Sequence, residues 1–307
     1  LVTDNRLIIQ ELSNELLYGV YRVEGEKLIK EGGFLTKGVG PFEMIHPDLW
    51  GNEGDSVFYI SNYSGMVKEI YTVKKTDIYN KEKWKITKFP DPQECLFYPS
   101  IAILDDSICI VSGSKLNSIN ILSRVNLQTG SISDLDFPFP GFNLPSGFKI
   151  VEHMIYCDAQ LLKHPRQNKL LYVCRLGKYA KILEMENGQI GKQIPLYSIL
   201  PQYEAVNNER KIKDDCLGGI IAKVTADKIY CLVLPYTRKE ENENPFYKGM
   251  PNYFADEMVI FDWDGNLINA YRLDQPICNF GVNKTKNILY GTTLDGEEFV
   301  VRRFVLK

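Results

Sequence analysis

The residues able to do chemistry in this 307-residue chain are few and scattered, beginning with only three histidines, His46, His153 and His164. His46 and His164 each precede a proline, which favours extended or turn geometry at the histidine. His164 reads as a turn residue. His46 and His153, the latter in Glu152-His153-Met154, sit just ahead of strand-like runs and are kept as ligand candidates. Carboxylates in comparable places are Glu43, Asp48, Asp158, Asp214 and Asp215. Carboxylates brought together can do acid–base work, or hold Ca²⁺ with backbone carbonyls; the plainer reading is that they cap turns. Asp214-Asp215 precedes an apolar run at Leu217–Val224, but neighbours on a strand point to opposite faces and cannot easily serve one site. The segment Tyr236–Tyr253 is an insertion, charged and then aromatic and proline-containing, in which Phe246, Tyr247 and Tyr253 could stack on a sugar or a peptide. The alternative is a solvent-exposed loop whose aromatics cover a strand edge.

Several chemistries have no residues to carry them. There is no serine nucleophile elbow, HExxH helix, phosphate loop or EF-hand loop. Gly38-Val39-Gly40 has no following helix and is not a dinucleotide fingerprint. With 36 basic and 39 acidic residues the net charge is -3, which gives no electrostatic footprint for nucleic acid. The longest apolar stretches, such as Ile101–Leu104, are strand-sized and soon broken by charge. The seven cysteines (95, 109, 157, 174, 216, 231, 278) form no CxxC pair, and most lie inside apolar runs, so they read as buried free thiols.

What must position these side chains is a series of short strands. Runs rich in Val, Ile, Tyr and Phe alternate with turn signals at Glu24-Gly25, Ser64-Gly65, Thr129-Gly130, Asn187-Gly188, Asp264-Gly265 and Asp295-Gly296. Helical periodicity is almost absent, the best candidate being Ile199–Arg210, which contains Pro201. The runs repeat every ~45 to ~60 residues, a propeller-blade period. Complete units span about Phe42–Phe89, Tyr98–Phe137, Met154–Leu196 and Leu217–Leu273. Partial units remain at Arg6–Phe34 and Ile277–Leu306. The runs Val57–Ile60 and Lys228–Leu234 are nearly continuous in apolar residues, as expected of blade strands packed on both faces.

The expected fold is therefore all-β, a six-bladed β-propeller with four-stranded antiparallel blades over 1–307, with end blades 1–34 and 277–307 incomplete. The first unit is short of an innermost strand and the last of an outermost one. A segment upstream of Leu1, or an imperfect closure, is expected to account for both. The chain starts at Leu1 rather than Met, as either a truncated or a processed mature chain would, so any targeting signal is expected to lie outside it.

Gly38-Val39-Gly40-Pro41-Phe42-Glu43-Met44-Ile45-His46-Pro47 resembles the G-x-G-P-x-E-F…P signature that opens a blade in NHL-like and TolB-like six-bladed propellers of Bacteroidetes. Leu161–Tyr172 is similar to the TolB-type S-P-D-G-K-x-L-x-Y strand–turn–strand, with His164-Pro165-Arg166-Gln167-Asn168 in place of the usual turn. The stretch from Phe261-Asp262-Trp263-Asp264-Gly265-Asn266 to Arg303-Phe304-Val305-Leu306 is similar to the last blades of the same group. The resemblance implies a cell-envelope protein, periplasmic or at the cell surface, such as an outer-membrane lipoprotein with its signal removed. The expected function is a non-catalytic binding or scaffold module recognising a protein or glycan at one face of the disc. Its candidate ligand residues are Glu43, His46, His153, Asp158, Asp215, Phe246, Tyr247, Tyr253 and Asn279.

An alternative is a metal-dependent hydrolase, lactonase or lyase working at the central channel. It would need Glu43, Asp158 and Asn279 to converge, with Ca²⁺ the one cofactor considered. A third reading is an interaction domain of a larger membrane protein. A monomer is expected, touching a membrane only through an N-terminal lipid anchor outside this sequence.

Overall fold

A computed structural model describes residues 1–3, 5–11, 15–40, 42–45, 47–51, 56–62, 69–89, 100–113, 118–140, 149–206, 209–243, 254–296 and 298–307. Sheet I contains β1 (Val2–Thr3), β2 (Arg6–Gln10), β3 (Leu16–Glu24) and β4 (Lys27–Lys37), all antiparallel, with β5 (Glu43–Met44) parallel to β4. Hydropathy alone does not disclose β1, because two residues are too few to make a pattern. Sheet II runs in chain order through β6 (Pro47–Trp50), β7 (Val57–Asn62), β8 (Glu69–Lys74) and β9 (Lys85–Lys88). Sheet III does the same with β10 (Ser100–Ile103), β11 (Ile108–Ser112), β12 (Leu122–Asn126) and β13 (Ile132–Asp134). Sheet IV comprises β14 (Ala159–Lys163), β15 (Lys169–Cys174), β16 (Lys178–Glu186) and β17 (Gln189–Ile199). A separate hairpin pairs β18 (Tyr203–Val206) with β19 (Glu209–Ile212). Sheet V holds β20 (Ile220–Val224), β21 (Ile229–Val233), β22 (Ala255–Phe261) and β23 (Leu267–Ile277). Sheet VI has three strands, β24 (Asn279–Asn283), β25 (Ile288–Asp295) and β26 (Glu298–Val305). The chain is thus all-β, and its sheets are those of a six-bladed β-propeller.

Every residue of β21 is buried, as are five of six in β15, whereas β9 and β13 are exposed or half-buried throughout. Continuous apolar runs therefore mark the second strands, which are covered on both faces, as the sequence predicts. The β16–β17 turn is set by Asn187 (φ 52°) and Gly188 (φ 75°), the two positive-φ residues of a hairpin turn whose twist matches its strands.

Helix is confined, among the described residues, to α1 (Lys149–Tyr156), α2 (Arg238–Glu243) and two single 3₁₀ turns. None is long and apolar enough to cross a membrane. The segment Ile199–Arg210 is not helical: β17 ends at Ile199, and the following residues form the β18–β19 hairpin. Its true period is two, because Tyr203 and Ile212, directly opposed, pack on the core while Glu204 is exposed. The octet of α1 is too short to give a periodic signal.

Two compact units are distinguished: Leu1–Asp91 with Phe280–Tyr290 and Arg303–Lys307, and Pro92–Asn279 with Gly291–Arg302. In the first, Phe34, Phe58, Tyr71 and Trp84 form an aromatic core between sheets I and II. Phe42, at φ 58°, places its ring edge-on to Trp84 at 6.0 Å. The blade-opening segment is thus a packed corner.

In the second unit, first strands are stapled to one another by side chains. Leu161 N–H donates to Ser100 Oγ (2.9 Å), and Ala222 N–H donates to Gln160 Oε1 (2.8 Å). Each bond satisfies a backbone donor on a strand edge that no further strand covers. The trailing end of sheets IV and V, where their first strands finish, is also held by side chains. His164 Nδ1 accepts from the backbone N–H groups of Arg166 and Gln167, both at 2.9 Å, and its ring lies 4.7 Å from that of Trp263. Trp263 Nε1 donates to Thr225 O (2.9 Å), while Lys169 Nζ reaches Trp263 O, Asp264 and Glu184. His164 is the turn residue its pre-proline position suggests, and burial pushes its pKa down.

Candidate functional site

The leading end of sheets IV and V, where their first strands start, gathers three connections: residues 175–177, 200–219 and 236–239. Strand order alone brings these together, because loops before a first strand and between second and third strands share one end of an antiparallel blade. The segment Asp214-Asp215-Cys216-Leu217-Gly218-Gly219 is the hub. Cys216 is buried and anchors it, its Sγ accepting from Gln202 N–H at 3.4 Å. From there the contacts run backbone to backbone. Gly177 N–H donates to Leu217 O (3.0 Å), and Gly218 N–H to Tyr236 O (2.8 Å). Arg238 N–H donates to Cys216 O and Lys239 N–H to Asp214 O, both at 2.9 Å. Leu176 and Gly218 form an isolated bridge, as do Leu217 and Thr237. The approach is so close that a Cβ on Gly219 would stand 2.0 Å from Arg175 O.

Helix α2 leaves this hub through a capping box. Thr237 N–H donates to Glu240 Oε2 (2.8 Å), and Glu240 N–H to Thr237 Oγ1 (3.2 Å). These donors hold the Glu240 carboxyl below its ordinary range. The Thr-x-x-Glu spacing announces the cap in the sequence, although the wider segment reads there only as an insertion.

Side chains displayed from this frame are charged. Asp158 and Arg175 pair at 3.2 Å, both partly exposed, and Arg175 N–H also donates to Asp158 O (3.1 Å). Asp214 and Asp215 are exposed and occupy a turn rather than a strand, so strand alternation does not separate them. Such a surface can offer a ligand ion pairs and hydrogen bonds on a fixed backbone. Among the described residues, no group of three or more His, Cys, Asp or Glu side chains is arranged to hold a metal ion.

The remaining candidates are placed as follows. Glu43 folds back on its own corner, its Oε2 accepting from Gly40 N–H at 2.9 Å. His153 does not precede a strand directly but lies on α1, buried, with Nδ1 3.6 Å from Cys157 Sγ and its ring 4.9 Å from Phe139. The reason is local: the helix interposed between residues 149 and 156 turns that side chain into the core. Asn279 is exposed at the start of β24. His46, Phe246, Tyr247 and Tyr253 lie outside the described residues. Of the candidates in the second unit, Asp158 and Asp215 share the leading end, but each has its own surroundings and they do not pair. Sequence reasoning misses Glu152, which is buried on α1 and accepts from Tyr203 Oη–H at 3.2 Å. Nothing local could reveal a partner 51 positions away.

Among the described residues, six cysteines are free, five of them buried. Burial pushes the Cys174 and Cys231 thiols up to about 12, so they act as small apolar groups rather than nucleophiles.

No curated protein matches this chain. Among solved structures, a member of the DUF4221 family from Bacteroides vulgatus is similar at 11% identity and TM-score 0.55, covering 94% of this chain and 83% of that one. A candidate exported protein from Bacteroides fragilis gives 11% identity and TM-score 0.49, covering 95% of this chain and 77% of that one. A gluconolactonase from Xanthomonas campestris gives 10% and 0.38, covering 80% and 68%. The sequence itself matches the family described as TolB-like 6-blade propeller-like over residues 1–285, and the chain belongs to that family.

Proposed function

We propose that this propeller is a non-catalytic binding or scaffold module of the cell envelope, recognising a protein or glycan through the leading end of sheets IV and V. The observation that carries this reading is the backbone-stitched hub at Cys216–Gly219. It fixes the loops through backbone bonds and the buried Cys216 rather than through their charged side chains, so Asp158, Arg175, Asp214 and Asp215 stand on a rigid base with their outer atoms available. A preorganised polar surface of this kind binds without first having to be ordered. The envelope location rests on family membership. Burial of the free thiols is compatible with it, since a buried thiol is shielded from oxidation.

The test is binding of the intact chain to an array of defined glycans and to peptides tiled from envelope proteins. It is repeated with a variant carrying Arg175→Glu, Asp214→Lys and Asp215→Lys. The expected result is a ligand held by the wild type and weakened about tenfold or more in the variant, a difference of about 1.4 kcal/mol. Superimposable unfolding curves would show that the fold is intact. Equal binding by both proteins would place recognition elsewhere. Hydrolysis of a sugar lactone on addition of Ca²⁺ would overturn the non-catalytic reading.

A further inference from the structure

Among the described residues of the second unit, Glu152 is a buried carboxyl with no ion-pair partner. It is 5% exposed, and Tyr203 Oη–H on β18 donates to its Oε1 at 3.2 Å. Its Oε2 is buried with no partner of hydrogen-bonding geometry among the described residues. A buried carboxylate ordinarily needs two or three donors to stay charged. Burial accordingly pushes its pKa up, with only the Tyr203 hydroxyl and its own N–H favouring the charged form.

Among the described residues no cation pairs with it, and His153, next on the helix, is buried with Nδ1 3.6 Å from Cys157 Sγ. Tyr156 follows on the same helix. Tyr172, Cys174 and Tyr179 come from sheet IV, all neutral at ordinary pH, Tyr172 and Cys174 because burial raises them far above it. On the hairpin side, Glu204 is exposed and reaches Lys213 at 3.8 Å, and Lys211 is exposed. Asp158, just beyond α1, is engaged by Arg175.

The two elements that Glu152 joins are unequally anchored. Helix α1 is tied to sheet IV, since Tyr172 Oη–H donates to Tyr156 O (2.6 Å) and Cys174 Sγ–H to Ile155 O (3.5 Å). Among the described residues the β18–β19 hairpin pairs only with itself and joins no larger sheet. If the carboxyl must reach water, the hairpin is the element that gives way.

We infer that Glu152 is a proton-dependent latch, holding the β18–β19 hairpin against α1 when its carboxyl is neutral and releasing it when the carboxyl ionises. The sign follows from burial. The latched state prefers the protonated acid, so latching is complete at low pH and is lost as pH rises through the raised value. This inference does not depend on the binding reading.

The experiment is hydrogen exchange of the intact chain by mass spectrometry from about pH 5 to about pH 9, expressed as protection factors to remove the intrinsic pH dependence. In the wild type, protection of Tyr203–Ile212 should fall about tenfold or more with rising pH, while that of β15 stays constant. In Glu152→Gln the hairpin should show no such step. In Tyr203→Phe, which removes a donor that favours the charged form, the midpoint should move to higher pH. A flat wild-type profile would overturn the latch even if Glu152→Gln failed to fold. So would the same step in Glu152→Gln, or an unmoved midpoint in Tyr203→Phe.

Discussion

At the leading end of sheets IV and V the contacts run from backbone to backbone, Gly177 N–H to Leu217 O and Arg238 N–H to Cys216 O. At the trailing end they run through named side chains, His164, Lys169 and Trp263. Both ends hold the same two blades, yet they constrain the sequence differently. A backbone bond survives most substitutions, so the leading end can change Arg175, Asp214 or Asp215 without loosening. At the trailing end the turns close on their own backbone bonds, but the contacts of His164, Lys169 and Trp263 each depend on one residue type, and the chemistry there is spent on cohesion. The end whose charged side chains are not needed for cohesion is where recognition chemistry can be placed at small cost to the fold.

The comparison can be broken most forcefully at Trp263. It is buried, donates to Thr225 O and packs beside His164, so Trp263→Ala should cost about 3–5 kcal/mol in urea unfolding. A loss near that of a surface substitution would mean that the trailing end is not closed by side chains.

Gly219→Ala is the matching test at the leading end. Its new Cβ meets Arg175 O, and the forced shift should cost about 1–3 kcal/mol by the same measurement. Tolerance of alanine would show that the backbones approach less closely than the hydrogen bonds require.

Smaller and more discriminating is His164. Its Nδ1 can accept two N–H groups only while unprotonated, and burial lowers its pKa in the folded chain. Its contribution is therefore fully present above the ordinary histidine value, about 6.5, and is lost as pH falls toward the lowered folded value. His164→Asn, whose Oδ1 can accept the same donors, should flatten this fall in Tm. His164→Ala should lower stability at neutral pH by about 1–2 kcal/mol. An unchanged acid limb in His164→Asn would sink the assignment.

Least of all should follow from Asp214→Ala or Asp215→Ala, within about 0.5 kcal/mol of wild type. Arg175→Ala should cost no more than about 1 kcal/mol, since its pair with Asp158 is half-exposed. A larger loss at any of the three would remove the distinction between the ends.

Much of the fold is legible in the sequence because it is written locally. Gly25, Gly130, Gly188, Gly265 and Gly296 all take positive φ at turns where the sequence marks them. Val57–Ile60 and Ile229–Val233 announce second strands by continuous apolar runs. Short elements escape, since β1 and α1 present too few residues for any period to emerge. The candidate site is legible only in part. Strand order places Asp158 and Asp215 at the leading end, but it cannot say that Arg175 would engage Asp158. Nor can it say that Glu43 would turn back on Gly40.

The sequence by itself determines the fold class and most of the longer strands, because alternation, apolar runs and turn residues act over a few positions. Tertiary structure alone decides what the polar residues are for. His153, a ligand candidate in the sequence, and His164, a turn residue there, both end up buried. One lies against Cys157 and Phe139 on a helix, while the other closes a turn under Trp263. Lys169 meets Trp263 across 94 positions and Glu152 meets Tyr203 across 51. The charge state of a buried group is fixed by neighbours brought from such distances, and no local pattern carries that information.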